Sequence, residues 1–275
     1  MTYLEGKVRE ALAEDAADRD VTTDAVVSPG TCAEVELRAG AAGVVAGLGA
    51  AAEAFRQVDG EVAFEALVED GARVGPGDVV ARARGPLGSL LRAERTALNF
   101  LQQLSGVATL TRRFVDTAGS AAILDTRKTV PGLRPLQRLA VRAGGGVNHR
   151  PDLAGAVLIK DNHVAAAGGT AAAIGLARRT GLPVEVEVET LDELDVALAE
   201  RAECVLLDNM SPADVAEAVR RAGGRATLEV SGGVTLANVA AYAATGVDRI
   251  SVGALTHSAA ALDISMEVTR TWRSR

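Results

Sequence analysis

The sequence is poor in several chemically useful residue types, beginning with cysteine. Its 275 residues include two cysteines, Cys32 and Cys204, which lie far apart in the chain. This spacing argues against a disulfide framework or a small zinc motif and favours a reduced protein. The first residues, MTYLEGKVREALAED, lack the apolar core of a signal peptide, and no apolar run approaches the length of a membrane span. We therefore expect a cytoplasmic protein with no membrane partner.

The chain also lacks an excess of positive charge. Its formal net charge is −7 and its isoelectric point is near 5.2. Nucleic acids and anionic membranes are bound by broad basic surfaces, so neither is expected as the main partner. A local basic cluster that binds a small anion remains compatible with this composition.

Lysine and histidine are scarce, and they are concentrated in one stretch. The chain has three of each, and Lys128, Lys160, His149 and His163 all fall between residues 125 and 163. Residues 126–151 contain six basic side chains and no acidic one. In an acidic protein this stretch predicts an anion-binding site. A lysine that persists in an arginine-rich chain is expected where a compact ammonium is required, although chance persistence is the alternative.

From about residue 120 onward, short β-branched runs alternate with alanine-rich segments. This rhythm is typical of parallel strands joined by helices, and repeated crossovers of this length can close into a barrel. We predict strands at Ala121–Asp125, Ala156–Lys160, Val184–Glu189, Cys204–Asp208, Thr227–Val230 and Arg249–Val252. Helices are predicted between them, for example Leu191–Arg201 with Thr190 as N-cap, and Ser211–Ala222.

The first half of the chain has a different pattern. Alternating segments such as CAEVELRAG and EVAFEALVEDGARVGPGDVVARARG are separated by glycine and proline, which predicts antiparallel strands. A long helical stretch, SLLRAERTALNFLQQLSGVATLTRRFVDTAG, joins the two halves without a low-complexity linker.

Polar or glycine residues end every predicted strand of the second half. Ligands of α/β barrels bind at the carboxyl ends of the strands, so these residues are expected to converge. The last two strands end in SGG and VGALTHS, where glycine permits close approach of backbone N–H groups to a phosphate. Asp208 is a candidate for binding a cation or ribose hydroxyls, and a turn or N-cap aspartate is an equal alternative.

The segment VEVEVE places Glu185, Glu187 and Glu189 on one face of a strand. An edge strand with a solvent-exposed face is one interpretation. A strand inside a barrel, with the carboxylates in its interior, is favoured because both faces are then covered. Glu189 would reach the site, and the other two glutamates would lie deeper as partners of arginines.

Not every scarce or basic residue is assigned to the site. His149, between Asn148 and Arg150, is the better functional candidate, whereas His163 is expected to lie behind the site and His257 to cap the last helix. The remaining arginines of the basic stretch fall on a predicted helix, where structural pairing is expected; they are Arg134, Arg138 and Arg142.

Eight ordered motifs resemble quinolinate phosphoribosyltransferase, also called nicotinate-nucleotide pyrophosphorylase. They are ERTALNFLQQLSG, DTRKTVPGLR, AVRAGGGVNHR, LIKDNH, VEVEVET, LLDNM, EVSGG and ISVGALTHS, between about residues 88 and 262. The resemblance implies that quinolinate and 5-phosphoribosyl 1-pyrophosphate give nicotinate mononucleotide, pyrophosphate and CO₂ with Mg²⁺. It also implies an open barrel of about seven strands, residues 106–263. An N-terminal α/β sandwich, residues 1–105 joined by 264–275, would complete a subunit of a homodimer.

The same resemblance implies roles for individual residues. Arg127, His149, Arg150 and Lys160 would bind the two quinolinate carboxylates, and Arg95 would reach in from the neighbouring subunit. The phosphoribosyl donor would be bound by Lys128, Glu189 and Asp208, and its 5-phosphate by Ser231, Gly232, Gly233 and Gly253. Lys128, Lys160, Glu189 and Asp208 would be catalytic, with the two carboxylates holding Mg²⁺ directly or through water.

Three alternatives stay open at this point. A relative associated with molybdenum transport would be expected to alter LIKDNH, which is intact. A non-catalytic sensor of the donor should have lost Glu189, Asp208 or Lys128, and all three are present. A lyase with a Schiff base on Lys160 would be trapped by borohydride.

Overall fold

A computed structural model describes residues 1–274, which form two compact units. The first unit comprises residues 1–110, 130–145 and 259–274, and the second comprises residues 111–129 and 146–258. The domain bounds given above, which follow the family pattern, stay a prediction. Among residues 1–274, none of the helices is both long and apolar enough to span a bilayer.

The first unit is built on an antiparallel sheet. Its elements, besides a 3₁₀ turn at Ala17–Arg19, are α1 (Tyr3–Glu14), α2 (Val21–Val26), β1 (Thr31–Ala39), β2 (Gly43–Val44), α3 (Leu48–Val58), β3 (Ala63–Ala66), β4 (Arg73–Val74), β5 (Val79–Pro86), most of α4 (Leu87–Ala118), α5 (Arg134–Ala143) and β12 (Ile264–Arg273). The four-stranded sheet has the order β12-β1-β5-β3, and β2 pairs with β4.

Period-two burial explains how this sheet forms its core. Ala33, Val35 and Leu37 of β1 are fully buried, and the residues between them are only partly covered. On α3, buried Phe55 stacks on Phe64 of β3 with ring centroids 5.7 Å apart. The antiparallel strands and the long helix predicted from the sequence are confirmed, the helix beginning at Leu87 and ending at Ala118.

The second unit alternates strands and helices. Its elements, after the end of α4, are β6 (Ala122–Leu124), β7 (Val157–Ile159), α6 (Asp161–Ala167), α7 (Thr170–Arg178), β8 (Val184–Val188), α8 (Leu191–Ala199), β9 (Cys204–Asp208), α9 (Pro212–Ala222), β10 (Thr227–Ser231), α10 (Val239–Ala243), β11 (Arg249–Ser251) and α11 (Ala254–His257).

All six strands of this unit are parallel, in the order β6-β11-β10-β9-β8-β7. β11, the last strand of this unit in chain order, pairs with β6, the first. The sheet therefore curls into an open α/β barrel, as predicted. In place of the seventh strand that the family resemblance implies, Val147 forms a single parallel bridge with Leu124.

The predicted strand ends agree with the structure to within one residue. The helix predicted to reach Arg201 ends at Ala199, because Arg201 has a φ of 56° and so leaves the right-handed helical region. Ser211 caps α9 rather than beginning it, and its side chain accepts a hydrogen bond from the N–H of Asp214.

Candidate active site

A cavity of about 540 Å³ opens at the carboxyl ends of the barrel strands in the second unit. This volume suits a small ligand. The residues that line it come from the strands β7–β11, from loops that follow β6 and several of these strands, and from the segment after Val147. Nine residues predicted from the sequence are among them: Arg127, Lys128, His149, Arg150, Lys160, Asp208, Ser231, Gly232 and Gly233.

Alternation along the strands explains why these side chains converge. In β9, Val205 and Leu207 are buried on one face, whereas Leu206 and Asp208 line the cavity from the other. In β10, Glu229 and Ser231 line it in the same way. A barrel therefore brings residues two apart on each strand to a common interior, although they are distant in sequence.

The prediction that Glu185 and Glu187 face the barrel interior agrees with the structure. Their ion-pair partners are a histidine and a lysine, and of the predicted arginines Arg150 interacts electrostatically with Glu185. Glu187 lines the cavity and forms an ion pair with Lys160 Nζ. Glu185 Oε2 lies 3.0 Å from His149 Nε2. The neighbouring strand β7 and the segment after Val147 supply these cations, so the partners follow from sheet order, which the alternation does not specify.

Two arginines lie close together at the cavity. Arg150 donates through Nη1 to the carbonyl oxygen of Ala156, whereas its buried Nε has no hydrogen-bond partner among the described residues. Burial and then the positive charge of Arg127 lower the pKa of Arg150 below its usual value. Like charges held together in a partly buried site are stabilised by an anionic ligand, and a planar guanidinium can bind a carboxylate through two hydrogen bonds.

Two hydroxyls fix the backbone at Lys128. Its N–H donates to Thr126 Oγ1 at 3.0 Å, and its carbonyl accepts from Thr256 Oγ1 at 2.7 Å. The lysine side chain is exposed at the cavity, so a well-anchored backbone presents a mobile ammonium. This arrangement suits an electrostatic contact with a phosphate.

A tight corner follows β9 and β10. Asn209 has a φ of 55°, donates from its backbone N–H to the Ser231 carbonyl at 2.9 Å, and donates from Nδ2 to Asp208 Oδ2 at 2.7 Å. Gly232 has a φ of 90°, and a Cβ there would lie 2.2 Å from Asn209 Oδ1. Only glycine fits this position, and its absent side chain leaves the Ser231–Gly233 backbone open to the cavity.

Three predicted residues are not among those that line the cavity. Glu189 follows β8, is exposed, and donates its backbone N–H to Glu193 Oε2 at 2.8 Å. Gly253 lies beside the cavity, since a Cβ at this position would come within 3.2 Å of Cδ of the cavity-lining residue Lys128. Arg95 is an exposed residue of α4 in the first unit. The predicted roles of all three stay predictions.

Sequence reasoning missed three buried polar residues of the second unit. Asp125 is fully buried and accepts from the backbone N–H of His149 at 2.8 Å and from Asn148 Nδ2 at 2.6 Å. Glu229 is also fully buried and accepts from Ser251 Oγ at 2.5 Å. The period-two spacing of Glu229 from Ser231, and of Ser251 from Gly253, is the signal that could have revealed the last two.

The other histidines have structural contacts. His163 Nδ1 accepts the backbone N–H of Lys160 at 3.0 Å, so it stabilises the start of α6 behind the site. His257 ends α11 and contacts Ser258 Oγ through Nδ1 at 2.6 Å. Arg134, Arg138 and Arg142 lie on α5, as expected.

The fold and the cavity together define a class of protein. An α/β barrel with crowded cations and glycine-rich corners at the carboxyl ends of its strands is typical of enzymes that act on anionic, phosphorylated small molecules.

The comparisons with known proteins identify the family. Residues 20–105 match the model of the quinolinate phosphoribosyl transferase N-terminal domain, and residues 107–267 match that of the C-terminal domain. A Mycobacterium leprae (strain TN) protein named nicotinate-nucleotide pyrophosphorylase (carboxylating) is 46% identical over 271 residues, 95% of each chain. The chain belongs to the quinolinate phosphoribosyltransferase family.

Further relatives agree in sequence and in fold. A Nicotiana tabacum protein named quinolinate phosphoribosyltransferase (decarboxylating) 1b is 41% identical, over 97% of this chain and 83% of its own. The solved structure of nicotinate-nucleotide pyrophosphorylase from Francisella tularensis is 41% identical with a TM-score of 0.94, and the match covers 97% of this chain and 96% of that chain.

Proposed function

We propose that the cavity of the second unit is where this chain carries out the reaction of its family. The chain is a phosphoribosyltransferase that transfers the phosphoribosyl group of 5-phosphoribosyl 1-pyrophosphate to quinolinate. The products are nicotinate mononucleotide, CO₂ and pyrophosphate, in the synthesis of NAD. The main support is that one cavity has both crowded cations, which suit a dicarboxylate, and a glycine corner, which suits a phosphate.

Four cationic residues bind the quinolinate carboxylates in this proposal. Arg127 and Arg150 offer planar forks, Lys160 offers an ammonium, and His149 offers an imidazole whose other contacts are buried carboxylates. Lys160 forms an ion pair with Glu187 at the cavity. A charged lysine favours anion binding over the Schiff-base alternative, which requires a neutral amine.

The phosphoribosyl donor occupies a different part of the cavity wall from quinolinate. Lys128 contacts its phosphates, and the backbone of Ser231, Gly232 and Gly233 receives its 5-phosphate, with Gly253 beside Lys128. Asp208 lies next to this corner, because it pairs with Ser231 across β9 and β10. Glu189 would approach from the exposed turn after β8.

Magnesium fits the residues present. Asp208 lines the cavity with a carboxylate, an oxygen ligand that Mg²⁺ prefers, and Mg²⁺ in such enzymes is bound by one or two carboxylates together with substrate phosphates. Asp208, with Glu189, would hold it directly or through water. When bound, the ion neutralises charge on the departing pyrophosphate.

The chemistry needs no nucleophile from the protein. As the bond from ribose C1 to pyrophosphate breaks, positive charge develops on the ribose, and the carboxylate of Asp208 stabilises it. The quinolinate ring nitrogen then bonds to C1 and becomes a pyridinium. Loss of CO₂ leaves an electron pair on the ring carbon next to that nitrogen, where the pyridinium charge stabilises it until a proton is added. Each well-placed charged group can lower the barrier by about 3 kcal/mol.

A homodimer with Arg95 contributed across the interface completes the proposal. Arg95 is exposed on α4, and its guanidinium suits the same dicarboxylate. We also expect the enzyme to work in the cytoplasm, since Cys32 and Cys204 are free thiols.

Substrate selectivity tests this proposal. Purified protein with Mg²⁺ and the donor should form nicotinate mononucleotide from quinolinate and none from nicotinate, because a single carboxylate leaves part of the cation cluster unpaired. Product from nicotinate alone would overturn the assignment.

A further inference from the structure

Three largely buried side chains meet at the wall of the cavity, and they are called the buried triad here: His149, Glu185 and Glu229. His149 Nε2 lies 3.0 Å from Glu185 Oε2 and 3.4 Å from Glu229 Oε1. The side chains of His149 and Glu185 are 13% and 12% exposed, and that of Glu229 is fully buried. Two carboxylates therefore converge on one imidazole nitrogen, away from bulk water.

Positive charge between the two carboxylates stabilises this arrangement. Two buried carboxylates repel each other, and a neutral imidazole can donate one hydrogen from Nε2 without cancelling either charge. In the imidazolium the same Nε2 hydrogen lies between the two carboxylate oxygens, and the added positive charge neutralises one of the two negative charges. Glu229 Oε2 is buried without a hydrogen-bond partner among the described residues, so this carboxyl is under-solvated by the protein.

Each member of the buried triad is held in place by further contacts. Asp125 accepts the backbone N–H of His149, Ser251 Oγ donates to Glu229, and Cys204 Sγ donates to Glu185 Oε1 at 3.4 Å. The orientation of the imidazole is thus fixed by groups from several strands. Such precise support is what a binding group requires.

The surrounding charges also favour a protonated buried triad. Burial lowers the pKa of His149, but the hydrogen bond to Glu185 and the charge of Glu229 raise it by more, so the net pKa is above its usual value. Burial and the charge of Glu185 raise the pKa of Glu229 to about 7. Nearby arginines oppose these shifts. The positive charge of Arg150 lowers the pKa of His149, and that of Arg249 lowers the pKa of Glu229. Arg127 interacts electrostatically with Arg150.

We propose that Glu185 and Glu229 are positioning residues that keep His149 as an imidazolium at the cavity, where a buried proton provides one of the positive charges for the substrate dicarboxylate. This inference rests on the proposed function, because His149 contacts quinolinate there. A histidine held in this way stays charged below its own pKa and loses the charge as pH rises through that pKa. Quinolinate affinity should therefore fall as pH rises above neutrality, whereas donor affinity should not follow the same curve.

The scarcity of histidine makes a direct test practical. Protein labelled with ¹³C at the histidine ring gives three signals, and His149→Gln identifies one of them. In the wild type, the His149 signal should titrate above the usual histidine value near 6.5. Glu185→Gln and Glu229→Gln should each lower this midpoint by about one unit. Glu187→Gln is the matched control. Glu187 lies on the same strand as Glu185, but its carboxylate pairs with Lys160 and not with His149. Its loss should leave the titration midpoint of His149 unchanged.

Binding measurements connect the buried triad to the substrate. At pH 7.5, Glu185→Gln should raise the quinolinate Kd roughly tenfold and change the donor Kd less than about twofold. A wild-type His149 that is neutral at pH 7 would overturn the inference without any variant, even if nicotinate mononucleotide is formed. Thermal stabilisation by Zn²⁺ that Glu229→Gln abolishes would also overturn it, because the buried triad would then be a cation site. Absence of product, whatever the titration shows, would instead refute the proposed function.

Discussion

Lysine is scarce in this arginine-rich chain, and Lys160 is one of two lysines, with Lys128, that line the cavity. It lies directly after β7, and its ammonium pairs with Glu187 at the cavity. The scarcity of lysine indicated from the sequence that Lys160 belongs to the site, and its position directly after β7 places it at the cavity. Its partner Glu187 was visible in the sequence only as part of an alternating segment.

Lys160→Ala should raise the KM for quinolinate roughly 10- to 100-fold, because a charge-assisted hydrogen bond to a carboxylate is lost. The KM for the donor should change much less, since Lys128 and the glycine corner lie elsewhere on the wall. Lys7→Ala, which removes a partly buried lysine paired with Glu10 on α1, is the control. Steady-state kinetics for both substrates check this division of roles, and equal losses for the two substrates would contradict it.

Gly232 offers a second test at the level of one residue. Gly232→Ala places a methyl group against Asn209 at a φ of 90°, so the phosphate corner must shift, and the KM for the donor should rise at least about tenfold. Gly224→Ala is the matched control, because its φ is 76° and nothing lies within 4 Å of the added Cβ. Both variants share the backbone strain, so identical kinetics in the two would show that the corner does not bind substrate.

At the scale of elements, the capping box of α8 anchors the turn that contains Glu189. Thr190 Oγ1 accepts from the Glu193 N–H, and Glu193 Oε2 accepts from the N–H groups of Glu189 and Thr190. The sequence pattern predicted this cap, because both partners are local. It could not predict that Glu189 would be exposed, since that depends on how β8 ends.

Thr190→Ala should destabilise the protein by about 1 kcal/mol through loss of the cap, which lowers Tm by roughly 2–4 °C. It should also raise the KM for the donor, because the turn bearing Glu189 loosens. Thr2→Ala removes the equivalent capping box of α1 and should lower Tm without affecting that KM. Calorimetry and kinetics on both variants decide the point, and matching donor KM values would argue against a donor contact by Glu189.

At the scale of the whole molecule, local pattern and long-range pairing contribute differently. Strand positions in the second unit could be predicted because each strand is a short β-branched run. The pairing of β12 with β1 joins residues more than 200 positions apart, and periodicity alone does not specify such contacts. His149 and Glu185 were identified from the sequence, but their meeting with Glu229 was missed for the same reason, since only the curl of the sheet brings the three side chains together.

The homodimer is the other property of the whole molecule that needs a test. If Arg95 acts in the partner's site, mixing inactive Arg95→Ala and Lys128→Ala proteins should restore up to about a quarter of wild-type activity, because each mixed dimer regains one intact site. Exchange is verified by mass spectrometry of differently labelled subunits. No recovery after proven exchange would place Arg95 in its own chain's site.

Decarboxylation coupled to transfer is the central claim, and quinolinate labelled with ¹⁴C in the carboxylate next to the ring nitrogen tests it most directly. With Mg²⁺ and the donor present, labelled CO₂ and unlabelled nicotinate mononucleotide should appear in equal amounts, and neither should form when the donor is omitted. Label retained in the mononucleotide, or CO₂ released without the donor, would contradict the account.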